Sequence, residues 1–376
     1  MKRTHLKTRI VLDALKLGYD VLIVDVDIVF LKNPIPFLDC RDYDIQIQND
    51  GYSVNSGFYY VRPTKEAIKL HSSALELSHK NRTLSNQKCL ARILVNNTSI
   101  KVKILDDEKF PRGYVFFEAG KRMFADDNNC DTCVIVHNNW IEGRPAKIYR
   151  FKEFGMWMVD NNGYYSSNSS KYLVYNNLLR LQATDANQAL EIEALKSALA
   201  IGKVLNRKVI LPAFGCDNCP YEACKTSSGK CSLHTYIRIK TLDKTFPDSY
   251  REHMFLKHPK VPESVKNSQS PVYLIESPFA SQHKNDPTLR LLNIDKTFKP
   301  KNKEGATKDE IIEWFGNSEI SKYKVLQFHS LYKAFDILQH QDGNFVKSLS
   351  SGLQSTCFRQ YENNILCQWS IQDSTV

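Results

Sequence analysis

The 376-residue chain has no apolar run approaching the roughly 18 to 20 residues that cross a bilayer; its longest, Val21 to Leu31, is interrupted by Asp25 and Asp27. No membrane anchor is expected within these residues. The start, Met1 to Lys7, is basic but lacks the apolar stretch of a signal peptide, and no internal repeat is visible. There is also no clustered basic patch. The excess of 51 Lys and Arg over 41 Asp and Glu is spread along the chain, +4 over the first 160 residues and +6 over the rest. Nucleic-acid binding, which shows as a concentrated cationic face, therefore gains no support. With 42% hydrophobic and 24% charged residues, disordered and collagen-like classes are excluded, and the length accommodates two cores or one large one.

Cysteine, in contrast, is plentiful. Six of the ten are bunched: Cys130 and Cys133, then Cys216, Cys219, Cys224 and Cys231. Cys216 and Cys219 form a CxxC, so zinc is one reading, although the later spacings are irregular for a zinc ribbon. Disulfides are the other, with Cys130–Cys133 and Cys357–Cys367 as further pairs whose connectivity sequence does not fix. Glycosylation triplets at Asn81, Asn96, Asn97 and Asn168 favour disulfides, because both features belong to an oxidising, secretory compartment.

Secondary-structure signals alternate. Apolar residues at helical spacing from Thr8 to Leu17 end at Gly18, and the β-branched run Val21 to Val24 reads as a parallel strand buried on both faces, delivering Asp25 to its carboxyl end. Asp44 to Gln48 alternates apolar and polar residues. Gly57 to Val61 and Val134 to Val136 read as strands, and Thr64 to Leu77 as a helix. The polar stretch Asp160 to Ser170 suits a linker. Beyond it the pattern restarts, with strands at Tyr172 to Tyr175, Val209 to Leu211 and Lys324 to Phe328 and helices at Ala186 to Leu205 and Lys308 to Phe315. The expected organisation is α/β throughout, with domains at 1–160 and 171–376 joined by 161–170.

The sharpest local feature is Asp25-Val26-Asp27. Two carboxylates at the end of a buried strand are oxygen ligands for a hard divalent cation, which in turn binds diphosphate oxygens; two aspartates capping a turn in solvent is the alternative. In open α/β sheets, ligands bind outside the carboxyl ends of the strands, so an acidic pair there has a functional address.

In order along the chain come VLIVDVDIVFLKNP, DIQIQND, VNSGFYYVRPT, FPRGYVFF and VHNNWIEGRPAKIYRFKEFGMW. Together they resemble the nucleotide-diphospho-sugar transferase domain of a GT-A type glycosyltransferase family, whose plant members add xylose, arabinose or galactose. The resemblance, from about Thr8 to Trp157, implies a Rossmann-like GT-A domain lacking its first strands. It further implies a UDP-sugar donor, a glycan or glycoprotein acceptor, a retaining reaction and residence in the Golgi lumen, with a longer form anchored in the membrane. Asp25 and Asp27 take the place of the metal and diphosphate motif, and His137 that of the late histidine completing the metal site. Imidazole tilts the choice from magnesium to manganese. Asn55, Ser56 and Gly57 match the sugar-binding turn, and Asp50 and Gln87 the sugar-hydroxyl contacts. Gly143, Arg144 and Lys147 fall where a loop closes over the diphosphate, and Lys7 or Arg9 is a further phosphate contact. One departure stands out: where the family carries Asp-Gln, this chain has Asn86-Gln87. A non-catalytic, carbohydrate-binding relative is the competing reading.

Asn187 to Pro212, reading NQALEIEALKSALAIGKVLNRKVILP, resembles the helix and strand of O-fucosyltransferase-like domains. The Gly-rich turn and arginine that precede them in that family are absent, which implies a relic or an acceptor-binding module.

Overall fold

The computed structural model describes residues 3–38, 41–118, 130–141, 143–176, 187–215, 239–277 and 293–336, with short pieces at 230–231, 354–360 and 364–370 and single residues at 233, 237 and 347. Contacts divide the chain into two units, one built from 1–120 and 129–141 and the other from 121–128 and 142–376. The division falls at 141/142, whereas composition drew it near 160. The stretch 160–170 carries structure of its own: Tyr165 is fully buried and its ring stacks on His258 at 3.6 Å.

The first unit begins with α1 (Arg3–Lys16), closed by Gly18 at φ 85°, a left-handed conformation that glycine adopts without strain. β1 (Val21–Val24) and β2 (Ile28–Phe30) flank the two aspartates. β3 (Ile45–Asn49) and β4 (Val54–Val61) follow, then α2 (Lys65–Lys80), which Thr64 caps by accepting a hydrogen bond from the Ala67 N–H. α3 (Asn86–Val95), β5 (Val102–Leu105) and β6 (Ile135–His137) complete the unit. The main sheet has the order β1-β4-β3-β5, antiparallel except for β3 with β5, while β2 pairs antiparallel with β6.

β1 thus differs from the buried parallel strand expected from its composition. Among the described residues it pairs only with β4, at the sheet edge, and is half-buried. Val21 and Ile23 pack against the core beneath the helices and Leu22 against the opposite one, so both faces of the strand are partly covered although it is antiparallel and at the edge.

The sheet's two faces bury different cores. Ile45, Ile47, Tyr59 and Val61 pack with Val11 and Leu15 of α1 and with Leu70, Ala74 and Leu90 of α2 and α3. The other face packs Phe58, Tyr60 and Leu105 against Phe110, Val134 and Ile135. Because β3 is covered on both sides, Gln46 and Gln48, which alternation alone would place in solvent, are completely buried.

The second unit is a six-stranded, all-parallel sheet in the order 250–251, 208–210, 172–175, 325–328, 269–275, 294–298. The helix Asn187–Val204 links the strands Tyr172–Tyr175 and Lys208–Ile210, as the sequence led one to expect. Arg207 ties three chain segments together by donating to the carbonyls of Tyr172, Ser321, Tyr323 and Lys324, and its burial lowers the guanidinium pKa to about 10.

Cys130 and Cys133 form a disulfide, and Cys89 is a buried thiol. Cys357 and Cys367 are opposite one another in the backbone register of a hairpin. Cys231 lies in a short strand opposite Phe214, and Cys216, Cys219 and Cys224 lie outside the described residues. Asn81, Asn96 and Asn168 are exposed and Asn97 is half-buried.

His71, inside α2 and fully buried, donates from Nδ1 to the Ala67 carbonyl, and burial lowers its pKa to about 4. An unfolded chain, with a histidine pKa near 6.5, binds more protons between these values, so acidification through that window removes stability, about 3 kcal/mol in all. Protection factors of the Lys65–Lys80 amides, corrected for intrinsic exchange, should fall between pH 7 and 4 in the wild-type protein, and His71→Leu should flatten that dependence.

Candidate active site

The Asp25–Asp27 turn is held by backbone on both sides. The Asp25 N–H donates to the Gly57 carbonyl (2.7 Å), and the Asp27 carbonyl accepts from the Asn138 N–H (2.8 Å). The first bond fastens the turn to β4 and the second to the end of β6, where Ile28 is the register partner of His137. Residues separated by 32 and 112 positions from Asp25 thereby meet. Oxygens of Asp25 and Asp27 and a ring nitrogen of His137 lie within 4.8 Å of one another. His137 is buried, the two aspartates are half-buried, and Val26 between them points into solvent.

Gly57 is the floor of this cluster. A β-carbon there would lie 2.5 Å from His137 Cε1, 2.7 Å from Asp25 Oδ2 and 2.8 Å from Asn55 Oδ1, so no other residue fits without displacing them. Lys7, from α1, donates to Asp25 Oδ1 at 2.6 Å, which puts a cation at the edge of the cluster. Arg9 instead pairs with Asp13 on the exposed side of α1.

The cluster suits a divalent cation by its chemistry. Two carboxylates and an imidazole form a mixed oxygen and nitrogen donor set, and His137 Nε2 lies 3.5 Å from Asp27 Oδ1, a spacing that a cation bridges.

A second constellation centres on Asp50. Its Oδ1 accepts from Asn55 Nδ2 (3.0 Å), Asn139 Nδ2 (3.1 Å) and Trp140 Nε1 (3.2 Å), and its Oδ2 from Gln87 Nε2 (2.8 Å). Each amide is oriented by a backbone donor: Gly57 N–H on Asn55 Oδ1, Gly113 N–H on Asn139 Oδ1 and Ser56 N–H on Gln87 Oε1. Trp140 has a left-handed backbone, φ 59°, and its ring lies 5.8 Å from that of Tyr114. Asn86, at the position of the missing acid, donates to Ser56 Oγ (3.3 Å). Four donors to one carboxylate hold it fixed, and Asn55 borders both clusters, with Oδ1 beside Gly57 and Nδ2 on Asp50.

Asn139, Trp140 and Gln48 were not singled out from the sequence. Asn139 and Trp140 follow His137 directly, and that adjacency to a candidate ligand was the available signal. Gly143, at φ 86°, and Lys147 lie in the second unit, where the Lys147 N–H donates to the Gly143 carbonyl. Arg144 lines a cavity of about 320 Å³ in that unit with Tyr149, Lys152, Tyr164, Asp243 and Arg251.

Residues 1–151 match the family model of nucleotide-diphospho-sugar transferases. The likeness carried by the five motifs therefore holds across the first unit's described elements. Over 186 residues the chain is 32% identical to the beta-arabinofuranosyltransferase RAY1 of Arabidopsis thaliana, covering 42% of this chain and 34% of that protein. It is 28% identical to a UDP-galactose:fucoside alpha-3-galactosyltransferase of Dictyostelium discoideum, covering 42% and 28%. To the arabinosyltransferase XEG113 of Arabidopsis thaliana it is 23% identical, covering 70% and 49%. The matched stretches thus span between about a quarter and a half of these relatives.

Gly57→Ala tests the crowding. The variant should bind Mn2+ at least tenfold more weakly by titration calorimetry, with a stability loss of about 1–3 kcal/mol in thermal unfolding, as for overpacked sites.

Proposed function

We propose that the first unit transfers a sugar, of xylose, arabinose or galactose type, from a UDP-sugar to a glycan or glycoprotein acceptor with retention of configuration. The observation that carries this reading is the meeting of Asp25, Asp27 and His137 over Gly57 in a unit that matches the family. Asp25, Asp27 and His137 would hold Mn2+, which supplies positive charge to offset that developing on the departing diphosphate. Lys7 adds a second positive charge beside Asp25, and with the donor bound its ammonium is placed to pair with a phosphate oxygen. Gly57 leaves room for the sugar, while Asp50, held by its four donors, accepts from a sugar hydroxyl.

In the reaction, the acceptor oxygen forms a bond to the anomeric carbon on the face from which the phosphate oxygen departs. The electrons of the broken bond go to UDP, and the acceptor's proton passes to the same diphosphate. No separate protein base is needed. The Cys130–Cys133 disulfide and the exposed triplets at Asn81, Asn96 and Asn168 support residence in an oxidising lumen such as the Golgi's.

The competing reading, a carbohydrate-binding relative without turnover, draws on Asn86, which supplies an amide where the family has an acid. Turnover separates the two. Incubated with a panel of UDP-sugars and Mn2+, the wild-type protein should release UDP, and the double variant Asp25→Ala, Asp27→Ala should lose at least a hundredfold of that rate. Donor binding without UDP release by the wild-type protein establishes the second reading.

A further inference from the structure

We infer that Gln48 is a positioning residue for His137: it fixes the imidazole tautomer so that Nε2 presents its lone pair to the space shared with Asp27. This rests on the cation-site reading above and adds to it a residue that the resemblance does not assign.

The inference follows a chain of donors and acceptors with one self-consistent solution. Gln48 is completely buried in β3, and its Nε2 lies 2.9 Å from the Phe110 carbonyl. A carbonyl can only accept, so the amide NH2 must face it, which turns Oε1 the other way. Oε1 lies 2.6 Å from His137 Nδ1. Because Oε1 can also only accept, Nδ1 carries the hydrogen, and in the neutral ring Nε2 is left without one. That nitrogen faces Asp27 Oδ1 at 3.5 Å. Two acceptors facing each other at this distance, with the imidazole only 2% exposed, repel unless a positive charge lies between them. The backbone carbonyl of Phe110 thus selects which nitrogen of His137 is available to a metal, through one glutamine.

The position of Gln48 supports the assignment independently. A glutamine with no exposed surface loses its hydration, and it is retained only where both ends of its amide are satisfied. Both ends here are satisfied by groups whose roles are fixed, and one of these is the candidate ligand. Hydrogen bonding of the non-ligating nitrogen is the usual device by which proteins orient metal-bound histidines.

Two variants separate positioning from packing. Gln48→Met and Gln48→Glu both lose the bond to Phe110, but only the methionine variant loses the acceptor for Nδ1. Nitrogen-15 spectra of the full chain, taken where the imidazole is neutral, should show the Nδ1–H form of His137 in the wild-type protein and in Gln48→Glu, and lose it in Gln48→Met. Affinity for Mn2+ alone, read by electron paramagnetic resonance, should fall about 10- to 100-fold in Gln48→Met and stay within a few-fold in Gln48→Glu. If the wild-type protein binds Mn2+ and Gln48→Met binds it equally well, the inference is overturned while the cation reading stands. If the wild-type protein binds no Mn2+, the cation reading fails, and the spectra alone then decide whether Gln48 sets the tautomer. An Nε2–H imidazole in the wild-type protein overturns the assignment whatever the variants do.

Discussion

The first unit depends on how one three-residue turn is fastened. Asp25 and Asp27 belong to neither strand, yet the chain before them pairs with β4 and the chain after them with β6, and each aspartate contributes a backbone hydrogen bond to one of those partners. Two ladders of different sheets therefore meet at the carboxylates. Like charges brought this close repel, and the antiparallel pairing on both sides supplies the constraint that holds them. Burial of Phe58 and Tyr60 beneath β4, and of Ile135 beside β6, anchors the ladders to a common core. The site inherits its precision from that core.

Helix boundaries were largely legible because their signals are local. Thr64 and Gly18 mark the ends of α2 and α1, and the capping box of Thr307 and Glu310 starts the helix Lys308–Phe315 just where sequence placed it. The aspartate pair and His137 were legible through motif order, which specifies identity without geometry. Gln48 was not. A glutamine alternating with isoleucines reads as a solvent-facing position, and only the covering of both faces of β3 makes it a buried link. β2 escaped for a similar reason: three residues pair with partners 105 to 109 positions away, and nothing local announces that. The edge position of β1 was equally invisible, since a run of β-branched residues packed on both faces fits a central parallel strand as well as an antiparallel edge strand.

The cysteines divide in the same way. Spacing brought Cys130 and Cys133 within reach of each other, and the turn between them, in which the Cys133 N–H donates to the Cys130 carbonyl, closes the disulfide. It lies just before β6, so a covalent loop precedes the strand that delivers His137. A hairpin with seven-residue arms sets Cys357 and Cys367 opposite one another in its backbone register.

Charge distribution explains why the site needs two separate clusters. Lys7 pairs with Asp25 Oδ1, and the His137 imidazole lies 3.5 Å from Asp27 Oδ1, so this cluster mixes a fixed cation with two carboxylates and an imidazole. Around Asp50, three amides and an indole, all neutral, hold the carboxylate with their dipoles. Neutral donors hold an anion in place without cancelling its charge, which sets Asp50 apart from the aspartate pair beside Lys7. Asn55 makes the division possible. An acid at that position would place a third negative charge beside Gly57 and repel Asp50, whereas the amide gives its oxygen to the Gly57 N–H and its NH2 to Asp50, separating the two functions across a single side chain.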